Sequence, residues 1–181
     1  MVEVLNDIND GAKRAINKCL SSSQVCGYEL REAHYYLGRK LGKEMINARS
    51  ISNKKVAVLI MMRAGLPFGF GVADSFDESN DVAVLFSTSE NNYSSFDVVV
   101  VVDAVVNTGK TILEISNKLI DKKVIVATNV ISDKYLDNLK GLDIFATRIS
   151  KHSYKGIKTT AVSNGKGPDT GDRLFDNSFY K

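Results

Sequence analysis

Asp103 closes a run of five valines, Val98 to Val102, and is followed by Ala104-Val105-Val106-Asn107-Thr108-Gly109-Lys110-Thr111. An acid at the end of an apolar strand can accept hydrogen bonds from sugar hydroxyls. The Thr-Gly-Lys-Thr behind it opens a helical pattern, and the first N–H groups of a helix lack partners while its dipole favours anions. A second candidate is Arg63, directly after the apolar stretch Val56 to Met62; a guanidinium is a fixed, permanently charged fork suited to phosphate. A third is the stretch around Pro168, with Asp169, Thr170, Asp172 and Arg173.

Two phosphate chemistries fit Asp103 to Thr111. In a nucleotide P-loop, Ala104 to Thr111 would satisfy a loose Walker A spelling, with Lys110 on the phosphates and Thr111 on Mg²⁺. That loop must wrap phosphate with consecutive N–H groups in unusual backbone conformations, and Val105 and Val106 are too stiff for the task. The next strand also lacks an acid before Asp133. In a phosphoribosyl diphosphate (PRPP) site, Asp103 would hold the ribose hydroxyls and Thr108-Gly109-Lys110-Thr111 the 5′-phosphate. The residues favour this second reading.

The elements that must position these groups alternate. A fully apolar β-branched run such as Val98–Val102 reads as a central strand of a parallel sheet. Further strands are expected over Val2–Leu5, Val56–Met62, Asp81–Phe86, Val124–Ile131 and Leu142–Thr147. Helices are expected over Asp10–Leu20, Glu29–Ile46, a short segment ending near Ala73, 109–120 and Lys134–Lys140. In the second of these, Leu30, Ala33, Leu37, Leu41 and Met45 share one face, with His34 beside them as a core residue. The valine strand should end at Asp103, and the tail from Lys151 should pack as loops. The fold expected is a single α/β domain over 1–181, a mainly parallel central sheet with helices on both faces. Ligands in such sheets bind beyond the carboxyl ends of the strands, where Arg63 and Asp103 fall.

Composition narrows the partners. A net charge of +3 with interspersed signs argues against nucleic acid. Cys19 and Cys26, seven apart without histidine at ligand spacing, read as free thiols rather than a metal pair or disulfide. No apolar run reaches a membrane span and the N-terminus is too acidic for a signal peptide, so a cytoplasmic location is expected.

Three segments, in order, resemble the type I phosphoribosyltransferases, and among them the uracil phosphoribosyltransferases. Val99 to Thr111 resembles the PRPP motif, with Ala104 in place of a second acid, as in the uracil branch. Leu59-Ile60-Met61-Met62-Arg63-Ala64-Gly65-Leu66 is similar to that branch's strand ending in Arg-Ala-Gly-Leu. Gly167-Pro168-Asp169-Thr170-Gly171-Asp172-Arg173-Leu174-Phe175 resembles its C-terminal base loop, which implies a small loop-rich hood.

The resemblance implies transfer of phosphoribose from PRPP to uracil, giving UMP and pyrophosphate through an oxocarbenium-like state. Asp103 and Arg63 would be the catalytic pair, Arg63 on the pyrophosphate. Ala104, Val105, Val106, Asn107, Thr108, Gly109, Lys110 and Thr111 would complete the PRPP site with Asp169. Ser163, Pro168, Asp169 and Thr170 would hold the base. Mg²⁺ would arrive with PRPP, with Asp169 assisting, and the protein would be a homodimer. Asp172 and Arg173 are read as a structural pair holding the loop. One departure stands out: the family's long arm with a pyrophosphate-binding Arg is reduced here to Ser87–Ser95, which contains no Arg or Lys. That departure keeps open a PRPP- or UMP-binding regulator without turnover.

Overall fold

The computed structural model describes residues 2–87, 90–151 and 169–175. Six strands, β1 (Val2–Val4), β2 (Lys55–Ile60), β3 (Asp81–Phe86), β4 (Val98–Val106), β5 (Lys123–Ser132) and β6 (Asp143–Ser150), form one sheet. Their order is β1-β6-β5-β4-β2-β3 and every pairing is parallel. The valine run therefore lies inside the sheet between β2 and β5. All five valines are at most 2% exposed, because β-branched side chains fill both faces of a strand that never meets water.

Helices cover both faces. One face packs α1 (Asp10–Cys19), α2 (Gly27–Arg49) and α3 (Leu66–Ala73) on Val98, Val100, Val102, Ile125 and Phe145. The other packs α4 (Lys110–Lys118) on Val99, Val101 and Val126, with Leu139 from a 3₁₀ helix, Asp133–Leu139. Leu30, Ala33, Leu37, Leu41 and Met45 of α2 are buried as the heptad-like spacing requires. Gly38 lets α3 approach, since a Cβ there would lie 2.1 Å from the Phe68 carbonyl oxygen. Such glycine contacts let two helices lie on one strip of sheet.

Four expectations are corrected. β4 does not end at Asp103 but continues to Val106, with Val105 registered on Val130 and Val106 on Ile131. The stiff valines prolong the pairing, so the turn is confined to Asn107-Thr108-Gly109. β2 stops at Ile60, two residues early, where the chain turns toward Arg63. Asp133–Leu139 winds as a 3₁₀ helix instead of an α-helix over Lys134–Lys140. The expected loop tail contains a helix, α5 (Thr170–Leu174), capped by Asp169, whose side chain accepts from the Asp172 N–H at 2.8 Å. Cys19 and Cys26 are not joined in a disulfide, and among the described residues no helix is long and apolar enough to cross a membrane.

Candidate active site

The site is built at the carboxyl edge of β2 and β4. The Met61 N–H donates to the Val102 carbonyl at 2.8 Å, so the turn carrying Arg63 is fastened to the strand carrying Asp103. Neighbouring strands lie ~4.8 Å apart, which puts the two segments side by side. Asp103 is half-buried, and one carboxyl oxygen accepts weakly from the Val105 N–H at 3.5 Å. Burial pushes its carboxyl up to about 7, opposed by the backbone N–H groups of Val105 and Ala104. The group is therefore poised to ionise when a ligand donates hydrogen bonds to it.

Beyond β4, Gly109 takes the left-handed conformation at φ 72° as the residue before α4. A side chain there would be strained, and a Cβ would lie 2.5 Å from Leu139. The start of α4 has no side-chain cap on the helix and no acid in its first turn. Thr108 Oγ1 accepts from the Lys110 N–H at 3.4 Å, which shapes the turn only loosely. Lys110 and Thr111 are exposed, with Lys110 3.9 Å from Glu114. This is an open anion cradle. A P-loop is excluded by the same geometry, because Ala104, Val105 and Val106 are strand and cannot wrap a phosphate.

Arg63, half-exposed, pairs with the buried Asp172 of α5 at 3.0 Å, across 109 residues of sequence. The peptide bond before Arg63 is cis. Gly171 sits against the same turn, since a Cβ on it would lie 3.8 Å from that of Ala64. Arg173 points elsewhere and donates to the carbonyls of Leu20, Lys18 and Val25 around the end of α1. Asp172 and Arg173 thus tether the C-terminal segment to two different elements, where a mutual pair was expected. Arg31 adds a third tie, donating to the Leu174 carbonyl at 2.7 Å.

Asp169 and Thr170 are half-buried at the start of α5, next to the Arg63 turn through Gly171. Ser163 and Pro168 lie outside the described residues, as does His152. The described part of the short segment before β4 folds back on the sheet. The Asn91 side chain donates to the Phe86 carbonyl, Lys122 donates to those of Ser94 and Phe96, and Tyr93 and Phe96 join the core under α4. Sequence reasoning missed the Arg63–Asp172 link, for which no local spacing gives a signal.

A family model described as uracil phosphoribosyltransferase matches residues 24–177. The chain belongs to this family. Its reaction class is accordingly phosphoribosyl transfer. Among solved structures, the AQ2163 protein of Aquifex aeolicus superposes with a TM-score of 0.68 at 18% identity, over 97% of this chain and 98% of that one. A hypoxanthine-guanine phosphoribosyltransferase of Bacillus anthracis gives 0.48 at 13%, over 66% and 78%. The orotate phosphoribosyltransferase of Mycobacterium tuberculosis, in complex with inorganic phosphate, gives 0.45 at 17%, over 62% and 70%. At these identities the first likeness speaks for the fold alone. No curated protein sequence matches the chain.

Proposed function

We propose that the protein transfers phosphoribose from PRPP to uracil, releasing UMP and pyrophosphate. One observation carries the reading: segments around residues 63, 103–111 and 169–175, remote in sequence, meet at one sheet edge. Asp103 would accept from the ribose hydroxyls and Asn107 to Thr111 would hold the 5′-phosphate. Arg63 would stabilise the charge on departing pyrophosphate. The C1–O bond to pyrophosphate breaks as the C1–N1 bond to uracil forms, and the N1 proton leaves to solvent. Positioning and charge stabilisation supply the rate; no covalent nucleophile is needed. Pro168, Asp169, Thr170 and Ser163 are the proposed base contacts.

Mg²⁺ is proposed to enter on the oxygens of PRPP. Among the described residues no group of three or more His, Cys, Asp or Glu is gathered for a metal. One oxygen of Asp169 is committed to capping α5. A homodimer in the cytoplasm belongs to the same reading, the former checked by solution mass.

A second reading, a PRPP- or UMP-binding regulator, is favoured by one feature, the folded-back segment before β4 without Arg or Lys. Incubation with PRPP, Mg²⁺ and a nucleobase panel separates the two. Nucleotide and pyrophosphate in equal amounts support transfer. Stabilisation by PRPP without product supports the regulator.

A further inference from the structure

Across the same sheet edge, β5 and β6 carry a polar cluster that phosphoribosyl transfer does not employ. Asn129 and Thr147 are cross-strand neighbours, since Thr128 registers with Ala146 and Val130 with Arg148. Both are almost wholly buried, at 1% and 0% exposure. His34 of α2, 2% exposed, and Cys19 of α1 close the cluster, with Asn129 beside the thiol. The charges of Arg148 and Arg173 both bear on His34 and on Cys19.

The cluster is positive, and among the described residues no acid pairs with Arg148. Among the described residues the ionisable groups that interact with Arg148 are His34 and Cys19, and burial pushes the Cys19 thiol up to about 11, which keeps it neutral at physiological pH. His34 is held neutral by burial and the two arginines, its pKa down to about 3. The stretch Lys151 to Pro168, which follows β6 directly, contains no Asp or Glu. Arg173 is held by three carbonyls, but the Arg148 Nε has no hydrogen-bond partner. Asn129 Oδ1, Thr147 Oγ1 and His34 Nδ1 are likewise buried without partners. Water can serve an amide or a hydroxyl; it does not supply the counter-charge that favours a partly buried guanidinium.

We propose that Arg148, with Thr147, Asn129 and His34 beside it, binds a small oxyanion, a phosphate or carboxylate group, at a site distinct from the turn before α4. The Arg148 Nε–H and the Thr147 hydroxyl are its donors, and a charge-assisted bond to the guanidinium is its main hold.

The test is an NMR titration of the full-length ¹⁵N-labelled protein. The Arg148 Nε–H resonance, identified by its absence in Arg148→Lys, is followed as inorganic phosphate or acetate replaces chloride at constant ionic strength. The expected result is a saturable shift with at least one of these anions; the tighter binder tells phosphate from carboxylate as the natural chemistry. Thr147→Val should weaken the response severalfold. Thr108→Asp, which places a carboxylate in the turn before α4, should leave it unchanged. No saturable shift up to about 50 mM anion overturns the proposal. So does an equal response to chloride, or loss of the shift in Thr108→Asp, which would trace it to the other cradle. Phosphate-induced thermal stabilisation that Arg148→Gln removes and Thr108→Asp retains is the second readout, should Arg148→Lys fail to fold.

Discussion

Arg63 and Arg148 stand on one sheet edge and are partnered in opposite ways. Arg63, half in solvent, has a buried carboxylate, Asp172, 3.0 Å away. Arg148, more deeply enclosed, has no acid among the described residues and an orphaned Nε. In isolation the exposed charge is the cheaper one to leave unpaired, yet it is the one that is paired. The contrast teaches that Asp172 serves less to neutralise Arg63 than to aim it, and that Arg148 is poised for a ligand.

The largest effects fall on the carboxylate between the two arginines. Asp103→Asn should lower uracil phosphoribosyl transfer about 100-fold or more, measured as kcat/KM for PRPP, a loss of roughly 3 kcal/mol of transition-state stabilisation. The same change should raise thermal stability at pH 8. The Asp103 pKa is raised on folding from 3.8 to about 7, so the neutral carboxyl is the favourable form in the fold. Its contribution is complete below pH 3.8 and is lost as pH rises toward 7. Unfolding free energy between those limits should therefore fall with pH in the parent and stay flatter in the variant. An unchanged slope would remove Asp103 from the cause.

Next comes the aiming of Arg63. Asp172→Asn should raise the KM for PRPP about tenfold while changing kcat less, and Asp172→Glu should restore part of it. A matched fall in kcat with unchanged KM would argue that Asp172 only holds α5 in place.

Stability gives a smaller and sharper contrast. Arg63→Met removes the charge partner seen at a buried carboxylate and should destabilise the fold by about 1 kcal/mol, a modest figure because the guanidinium is half-exposed. Arg148→Met deletes an unpaired, desolvated charge and should be neutral or stabilising by about 1 kcal/mol in anion-free buffer. Urea unfolding reads both; two changes of the same sign would break the comparison. The smallest effect concerns the segment before β4. Asn92→Arg supplies the missing cation there and should raise kcat/KM for PRPP by about threefold, a gain of ~0.7 kcal/mol.

Much of this molecule was legible in its residues. Five β-branched valines have no reason to occur together except in a strand buried on both faces. The Leu30-to-Met45 spacing likewise specified one face of α2. Asp103, the turn and Arg63 were legible because each follows an apolar run, and such runs in a parallel sheet point toward one edge. Asp103's continuation into the sheet was not, because whether Ala104 to Val106 pair depends on Thr128 to Ile131 of β5, which local pattern cannot reveal. The Arg63–Asp172 pair joins segments 109 residues apart, and α5 is too short to show a period. The Arg148 cluster draws on residues 19, 34, 129, 147 and 148. Its one local sign is the polar Thr128-Asn129 interrupting an apolar strand.

The central claim is that the edge joining Arg63, Asp103 and the turn before α4 holds PRPP for attack by a base. The most direct test incubates purified protein with PRPP, Mg²⁺ and uracil and quantifies UMP and pyrophosphate together. The account predicts equimolar products, with formation abolished by Asp103→Asn. No nucleotide from uracil or any other base, with PRPP leaving the melting temperature unmoved, would contradict it.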